Sequence, residues 1–280
     1  MDSRTENYIR RGKFYVDGWL RNEAARIIAA LAERQRSIGI AGGVAEIGVH
    51  HGKLFILLYL LSQAPEKAVA IDLFEDQHLN VDKSGSGDLA KFRRNLDRYA
   101  DSTRLVLHQG NSLDLSGAIL MRLAEGPLRF VSIDGGHTAD ITAHDLATAD
   151  AAIAEGGIIV IDDVFNEQWP GVGDGVRRYC EHASNVVPFA IGANKTYFCR
   201  PSHRDIYHDA AAAAASTVTA TEFLGRPVAF LQFLRPGLKD RVAKSRAWRA
   251  LRATPIGTPL RWVWHTGRTL RRGLTRSEDV

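Results

Sequence analysis

Between Gly42 and Ile161 the chain alternates two kinds of segment. Short apolar or β-branched runs stand at Val44 to Ile47, Ala68 to Leu73, Leu105 to His108, Phe130 to Ile133 and Ile158 to Ile161. Between them lie stretches with helical recurrence of apolar positions: Lys53 to Ser62, Leu89 to Tyr99, Ser116 to Ala124 and Ala139 to Ala154. Near-continuous apolar runs are how strands buried on both faces read, and their alternation with helices at this spacing predicts a parallel sheet covered on both sides. The expected fold class is α/β: a Rossmann-like doubly wound sheet, mostly parallel with an antiparallel edge strand, plus a helical basic C-terminal extension.

The flanks are less regular. Phe14 to Arg36 places Trp19, Leu20, Ile27, Ile28 and Leu31 at helical spacing, which predicts an amphipathic opening helix. After Asp163, the proline and three glycines of Asn166 to Gly175 read as a loop. Val176 to His182 reads as a short helix, Lys195 to Arg200 as a last strand, and Val186 to Arg200 as an edge hairpin. The six alanines Ala210 to Ala215 favour helix with little packing specificity. The pattern divides into an N-terminal helical segment (1–40), a ligand-binding domain (41–200) and a basic, aromatic-containing extension (201–280).

Composition sharpens the last of these. The formal charge is +4, yet residues 235–276 hold twelve Lys or Arg against the single acid Asp240, interleaved with Trp248, Trp262 and Trp264. Such a surface suits a peripheral membrane or protein contact; alternatively its aromatics pack on the domain and leave the arginines in water. Cys180 and Cys199 are the only cysteines, and Met1 to Lys13 lacks the apolar core of a signal peptide, so a cytoplasmic location is expected. The longest apolar run, Leu54 to Leu61, is too short to span a bilayer.

Candidate chemistry sits where the runs stop. Ile133-Asp134-Gly135-Gly136-His137 and Ile161-Asp162-Asp163 bring three carboxylates and an imidazole to neighbouring strand ends, where ligands of such sheets bind. Two like charges about 4 Å apart repel by roughly 4 kcal/mol at an effective dielectric near 20, so the cluster calls for a divalent cation or a shared proton. His137 is a candidate base, its ordinary pKa of about 6.5 suiting proton abstraction near neutrality; a helix-capping role is the alternative.

Upstream, Glu46-Ile47-Gly48-Val49-His50-His51-Gly52 is a strand end followed by a glycine turn with spacing ExGxxxG, which departs from the three-glycine dinucleotide fingerprint. Glu46 would repel a phosphate and welcome a cationic ligand. Asp72 could accept from ribose hydroxyls, and Asn111 with Ser112 could flank an adenine edge. These features describe a nucleoside with a positive tail. His50, His51 and Lys53 are bulky and basic for such a turn.

Taken together, residues 14 to 200 resemble the class I S-adenosylmethionine-dependent methyltransferases. Asp134, Asp162-Asp163-Val164 and Trp169-Pro170-Gly171-Val172 make the chain similar to the metal-dependent O-methyltransferases of the catechol and macrocin sugar types. The resemblance implies S-adenosyl-L-methionine at Glu46, Gly48, Gly52, Asp72, Asn111, Ser112 and Asp134. It implies Mg²⁺ at Asp134, Asp162 and Asp163, with His137 as the general base. The implied acceptor is a small-molecule hydroxyl, first of a sugar or glycosylated natural product and second of a catechol. Two rivals stand beside it: an NAD-dependent oxidoreductase on the same kind of sheet, and a non-enzymatic cofactor-binding module docking through its basic tail. The core lacks an RNA-binding motif and the Asn-Pro-Pro-Tyr type of signature, which argues against a nucleic-acid substrate. A homo-oligomer is compatible with the sequence. The loop Glu75 to Asp88, polar and bearing Gly85 and Gly87, has the length of a lid or substrate-binding segment; its acids Glu75, Asp76 and Asp82, taken singly, read as solvated surface charge.

Overall fold

In the computed structural model, which describes residues 1–182 and 184–233, nine strands build one sheet. They are β1 (Gly43–Ile47), β2 (Ala68–Asp72), β3 (Leu105–Gln109), β4 (Leu128–Ile133), β5 (Ile153–Asp162), β6 (Val187–Gly192), β7 (Lys195–Cys199), β8 (Thr217–Phe223) and β9 (Arg226–Gln232). Their spatial order is β3-β2-β1-β4-β5-β7-β6-β9-β8. The five strands β3 to β5 run parallel, with β1 at the centre between β2 and β4. Strand β7 is antiparallel to both β5 and β6, β9 runs parallel to β6, and β8 closes the edge antiparallel to β9.

The helices are α1 (Ser3–Arg10), α2 (Asn22–Ser37), α3 (Lys53–Leu61), α4 (Leu89–Tyr99), α5 (Gly117–Leu123), α6 (Ala139–Ala152), α7 (Pro170–His182) and α8 (Arg204–Ala214). Strand parity sorts the core into two layers. Val44, Phe130, Ile158 and Val160 meet the layer of α1, α2, α3 and α8, whereas Ala45, Ile47, Val131, Ile159 and Ile161 meet that of α5, α6 and α7. Every one of these nine side chains is buried, as a sheet covered on both faces requires.

Three expectations are corrected. The sheet does not end near Arg200: α8 and the hairpin of β8 and β9 continue it, so the compact unit runs from Met1 to Phe233 and the hairpin of β6 and β7 is interior rather than an edge. Tyr207 and Ala211 of α8 are buried, which gives the alanine run a packing face. The stretch Asn166 to Gly175 is not all loop, because Pro170 opens α7, a position where proline loses no helical hydrogen bond. Its glycines serve close packing: a Cβ at Gly171 would lie 2.6 Å from the His137 carbonyl oxygen, and one at Gly175 would lie 2.6 Å from that of Ala139. Finally, the helix expected over Phe14 to Arg36 begins only at Asn22 and is preceded by α1, which leaves Trp19 ahead of it and exposed. The basic stretch 235–276, and with it the helical extension, lies outside the described residues.

Candidate active site

A cavity of about 980 Å³ opens over the carboxyl ends of the parallel strands. Gly48, Asp72, Asn111, Ser112 and Asp134 line it, together with His137, Asp162 and Asp163. Its size falls in the range of small-molecule cofactor sites.

The turn after β1 is shaped by close approach. Gly48 has φ 87°, and a Cβ there would fall 1.9 Å from the Asp134 carbonyl oxygen, so any side chain would collide with the turn after β4. His50 also adopts a left-handed conformation, and its N–H donates to Asp72 Oδ2 at 2.7 Å while the Phe74 N–H donates to Oδ1 at 2.7 Å. Asp72 thus fixes the glycine turn while facing the cavity. Burial raises its pKa against these hydrogen bonds. Lys53 donates through Nζ to the Gly18 carbonyl at 2.7 Å, which binds the turn to the segment before α2. Trp19, on that segment, lines the cavity with its ring 5.5 Å from that of His50.

Two residues expected to touch the cofactor are not part of the lining. Glu46 follows strand parity onto the face of Val44, where it is 2 % exposed and its Oε2 has no hydrogen-bond partner. Burial, and then the charge of Asp134, push its pKa well above the carboxylate range. Gly52 caps α3 with φ 90° against Phe92, whose ring atom Cδ2 a Cβ would approach to 2.7 Å. Its role is the turn itself. On the third strand, Asn111 accepts from the Leu113 N–H at 3.1 Å, holding the short turn that presents Ser112.

The acidic ends of β4 and β5 separate into two groups. Oxygen atoms of Asp134 and Asp163 and a ring nitrogen of His137 all lie within 4.8 Å of one another. Asp162 does not join them, which departs from the expected trio. It points to the same face as Glu46, where Lys195, its register partner on β7, reaches Oδ2 with Nζ at 2.6 Å and Asn194 donates to Oδ1 at 2.8 Å. Lys195 is only 2 % exposed. A lysine that opens a strand reads as solvent-facing in sequence; only its register against Asp162 reveals the ion pair.

His137 is held on three sides. Its Nδ1 lies 2.9 Å from Asp82 Oδ2, its Nε2 lies 3.5 Å from Asp163 Oδ2, and the Trp169 ring stacks on it at 4.2 Å. Burial alone would depress the imidazole, but the flanking carboxylates of Asp163 and Asp82 outweigh it and raise its pKa. Asp163, with φ 61°, accepts through Oδ1 from Asn166 at 2.6 Å and Asn194 at 2.7 Å. Burial opposes its ionisation, and the His137, Asn166 and Asn194 contacts prevail, holding it well below the usual range. Asp134 goes the other way, lifted to about 8 by burial and then by the Asp162 charge. Asp145 is buried behind Gly135, with Oδ2 3.1 Å from where a Cβ of that glycine would stand.

These residues fit a cationic nucleoside and a hard divalent ion. The glycine turn at Gly48 and the acids Asp72, Asp134 and Asp163 that line the cavity suit a sulfonium and repel a pyrophosphate. Asp134 and Asp163 supply the oxygen donors that Mg²⁺ prefers, and Asp163 Oδ2 is left open by the amides that occupy Oδ1.

A mostly parallel sheet with an acid-lined cavity at its switch point is a Rossmann-like arrangement, in which ligands bind at the strand ends. Residues 45–164, which hold the glycine turn and the group of Asp134, His137 and Asp163, match the family described as "Methyltransferase domain". Over those residues, fewer than half of the chain, it is similar to a methyltransferase domain. No curated protein matches the chain. Among solved structures it is similar to the O-methyltransferase NovP, with 17% identity, a TM-score of 0.50 and coverage of 63% of this chain and 80% of that one. It also matches CalS11, a TDP-rhamnose 3'-O-methyltransferase of calicheamicin biosynthesis, at 18% identity and TM-score 0.49, over 70% and 86% of the two chains. TomG from Streptomyces achromogenes, an O-methyltransferase of tomaymycin synthesis, matches at 20% identity and TM-score 0.47, over 71% and 88%. At its identity, the likeness to NovP shows the shared fold. Among the described residues no helix is long and apolar enough to cross a membrane.

Proposed function

We propose that this enzyme transfers a methyl group from S-adenosylmethionine to a hydroxyl oxygen of a small molecule, with Mg²⁺ held by Asp134 and Asp163 and His137 as general base. The observation that carries this reading is the meeting of Asp134, His137 and Asp163 within 4.8 Å at the wall of the cofactor cavity. The first acceptor class is a vicinal diol of a sugar or glycosylated natural product, and the second is a catechol.

Bound S-adenosylmethionine supplies the methyl group on a sulfonium, and Mg²⁺ supplies a positive charge that makes a hydroxyl more acidic. The chain's own residues do the rest. Asp72 and the turn through Gly48 bind and orient the nucleoside, with Asn111 and Ser112 at its adenine edge. His137 Nε2 takes the hydroxyl proton. Lys195 keeps Asp162 out of the group, so that Asp134 and Asp163 are the carboxylates that would hold the ion. Trp169 and the loop before α4 exclude water; most of the acceleration then comes from holding donor and acceptor in line.

Incubation with methyl-labelled S-adenosylmethionine and a panel of glycosides and catechols tests this directly. Label should pass to an acceptor, and EDTA should abolish transfer until Mg²⁺ is restored. Transfer indifferent to EDTA would remove the metal from the account; label in neither class of hydroxyl would remove the acceptor.

A further inference from the structure

We propose that Asp82, on the loop between β2 and α4, is the positioning residue that selects the reactive nitrogen of His137. This rests on the reading of His137 as the base. The two residues are 55 positions apart, yet Asp82 Oδ2 accepts from both the His137 backbone N–H at 2.6 Å and the ring Nδ1 at 2.9 Å. Its other oxygen, Oδ1, accepts from the Ser84 N–H at 2.9 Å and the Ser84 hydroxyl at 2.5 Å. Both carboxylate oxygens are therefore engaged, and the side chain is only 9% exposed.

An ionised carboxylate only accepts hydrogen bonds, so the Nδ1 it contacts must carry the proton. The tautomer of a histidine is set by the bond its other nitrogen makes. Asp82 thereby leaves Nε2 as the nitrogen turned toward Asp163 and the reacting hydroxyl. Trp169 fixes the plane of the ring from its face, and Asp82 fixes its rotation from the edge.

The loop that brings Asp82 also rests on the nucleoside side of the cavity. A Cβ at Gly87 would lie 2.6 Å from Asp72 Oδ1, and one at Gly85 would lie 3.5 Å from the His50 ring. Asn80 donates to the Ser84 carbonyl at 2.9 Å, tightening the turn that aims Asp82. One segment therefore touches the acid expected at the ribose and the base expected at the acceptor. A loop acid in a polar stretch of sequence carries no sign of this.

The test is a long-range ¹H–¹⁵N correlation spectrum of the histidine-labelled protein, recorded up the pH range until the His137 ring is neutral. The His137 signals are assigned by their loss in His137→Gln. The wild type should show Nδ1 protonated, Asp82→Ala should lose that pattern, and Asp82→Glu should recover it at least in part. In parallel, Asp82→Ala should lower kcat about 10- to 100-fold, the usual cost of losing a partner that orients a reactive histidine, with KM for S-adenosylmethionine within about twofold. A wild-type ring protonated on Nε2, a tautomer unchanged by Asp82→Ala, or an unchanged kcat would overturn the proposal. The spectrum needs neither methyl donor nor acceptor: if no form of the enzyme transfers a methyl group, the functional reading fails while the tautomer still decides the role of Asp82. Should Asp82→Ala not fold, the wild-type spectrum alone decides.

Discussion

His137→Ala should lower kcat about 10²- to 10⁴-fold, the range that general-base catalysis contributes. Each factor of ten corresponds to about 1.4 kcal/mol in the barrier, so the loss should amount to roughly 3 to 5 kcal/mol. The reason is local. His137 Nε2 is turned into the group formed with Asp134 and Asp163, and the other carboxylate beside the ring, Asp82, is occupied at Nδ1 and by Ser84. Neither Asp82 nor Asp163 can take over the proton transfer without breaking one of these contacts. The nucleoside side of the cavity, at Gly48, Asp72, Asn111 and Ser112, is untouched by the change. Affinity for S-adenosylhomocysteine, measured by calorimetry, should therefore stay within about twofold, since only an interaction made in the transition state has been removed. Wild-type turnover in the variant would strip His137 of its role.

Lys195→Ala should destabilise the fold by about 3 to 5 kcal/mol, the cost of removing one partner of a buried ion pair. The lysine is enclosed, 2.6 Å from Asp162, and its loss leaves that carboxylate facing Glu46 and Asp134 across the strand ends. Urea unfolding measures the effect. A second signature comes from pH. Burial alone would lower the Lys195 pKa, but Asp162 and then Asp134 outweigh it and raise it to about 12. A group held above its unfolded value, about 10.4 for lysine, contributes fully below that value and loses its contribution as pH rises through the folded one. Wild-type stability should therefore fall between about pH 10.4 and 12, and the variant should lack this component of the fall. A variant as stable as the wild type would show that the pair contributes nothing.

These two residues mark what the sequence made legible and what it did not. The strands β1, β2, β4 and β5 were readable because their apolar runs stop at Gly48, Asp72, Asp134 and Asp162, and a parallel sheet delivers such ends to one rim. His137 was readable for the same reason, three residues past Asp134. Lys195 was not, because its burial depends on antiparallel register with a strand 33 positions away. Asp82 was not, because a polar loop gives no periodicity from which a long-range contact can be inferred. The hairpin of β8 and β9 escaped notice because Thr217 to Glu222 are all exposed at the sheet edge and lack the apolar face that makes a strand recognisable. Asp162 shows the limit of motif reasoning: the paired acids after β5 are adjacent in sequence, but strand geometry sends one to Lys195 and the other to His137.

The claim on which the rest depends is that the cavity over the strand ends holds the sulfonium nucleoside. Calorimetric titration with S-adenosylhomocysteine tests it most directly, with NAD as the competing ligand and Gly48→Ala as the control that forces the glycine turn away from Asp134. Saturable binding of S-adenosylhomocysteine at one site, lost in Gly48→Ala and not reproduced by NAD, is the expected result. Binding of NAD in preference to S-adenosylhomocysteine, or equal binding to a protein whose glycine turn has been displaced, would contradict the account.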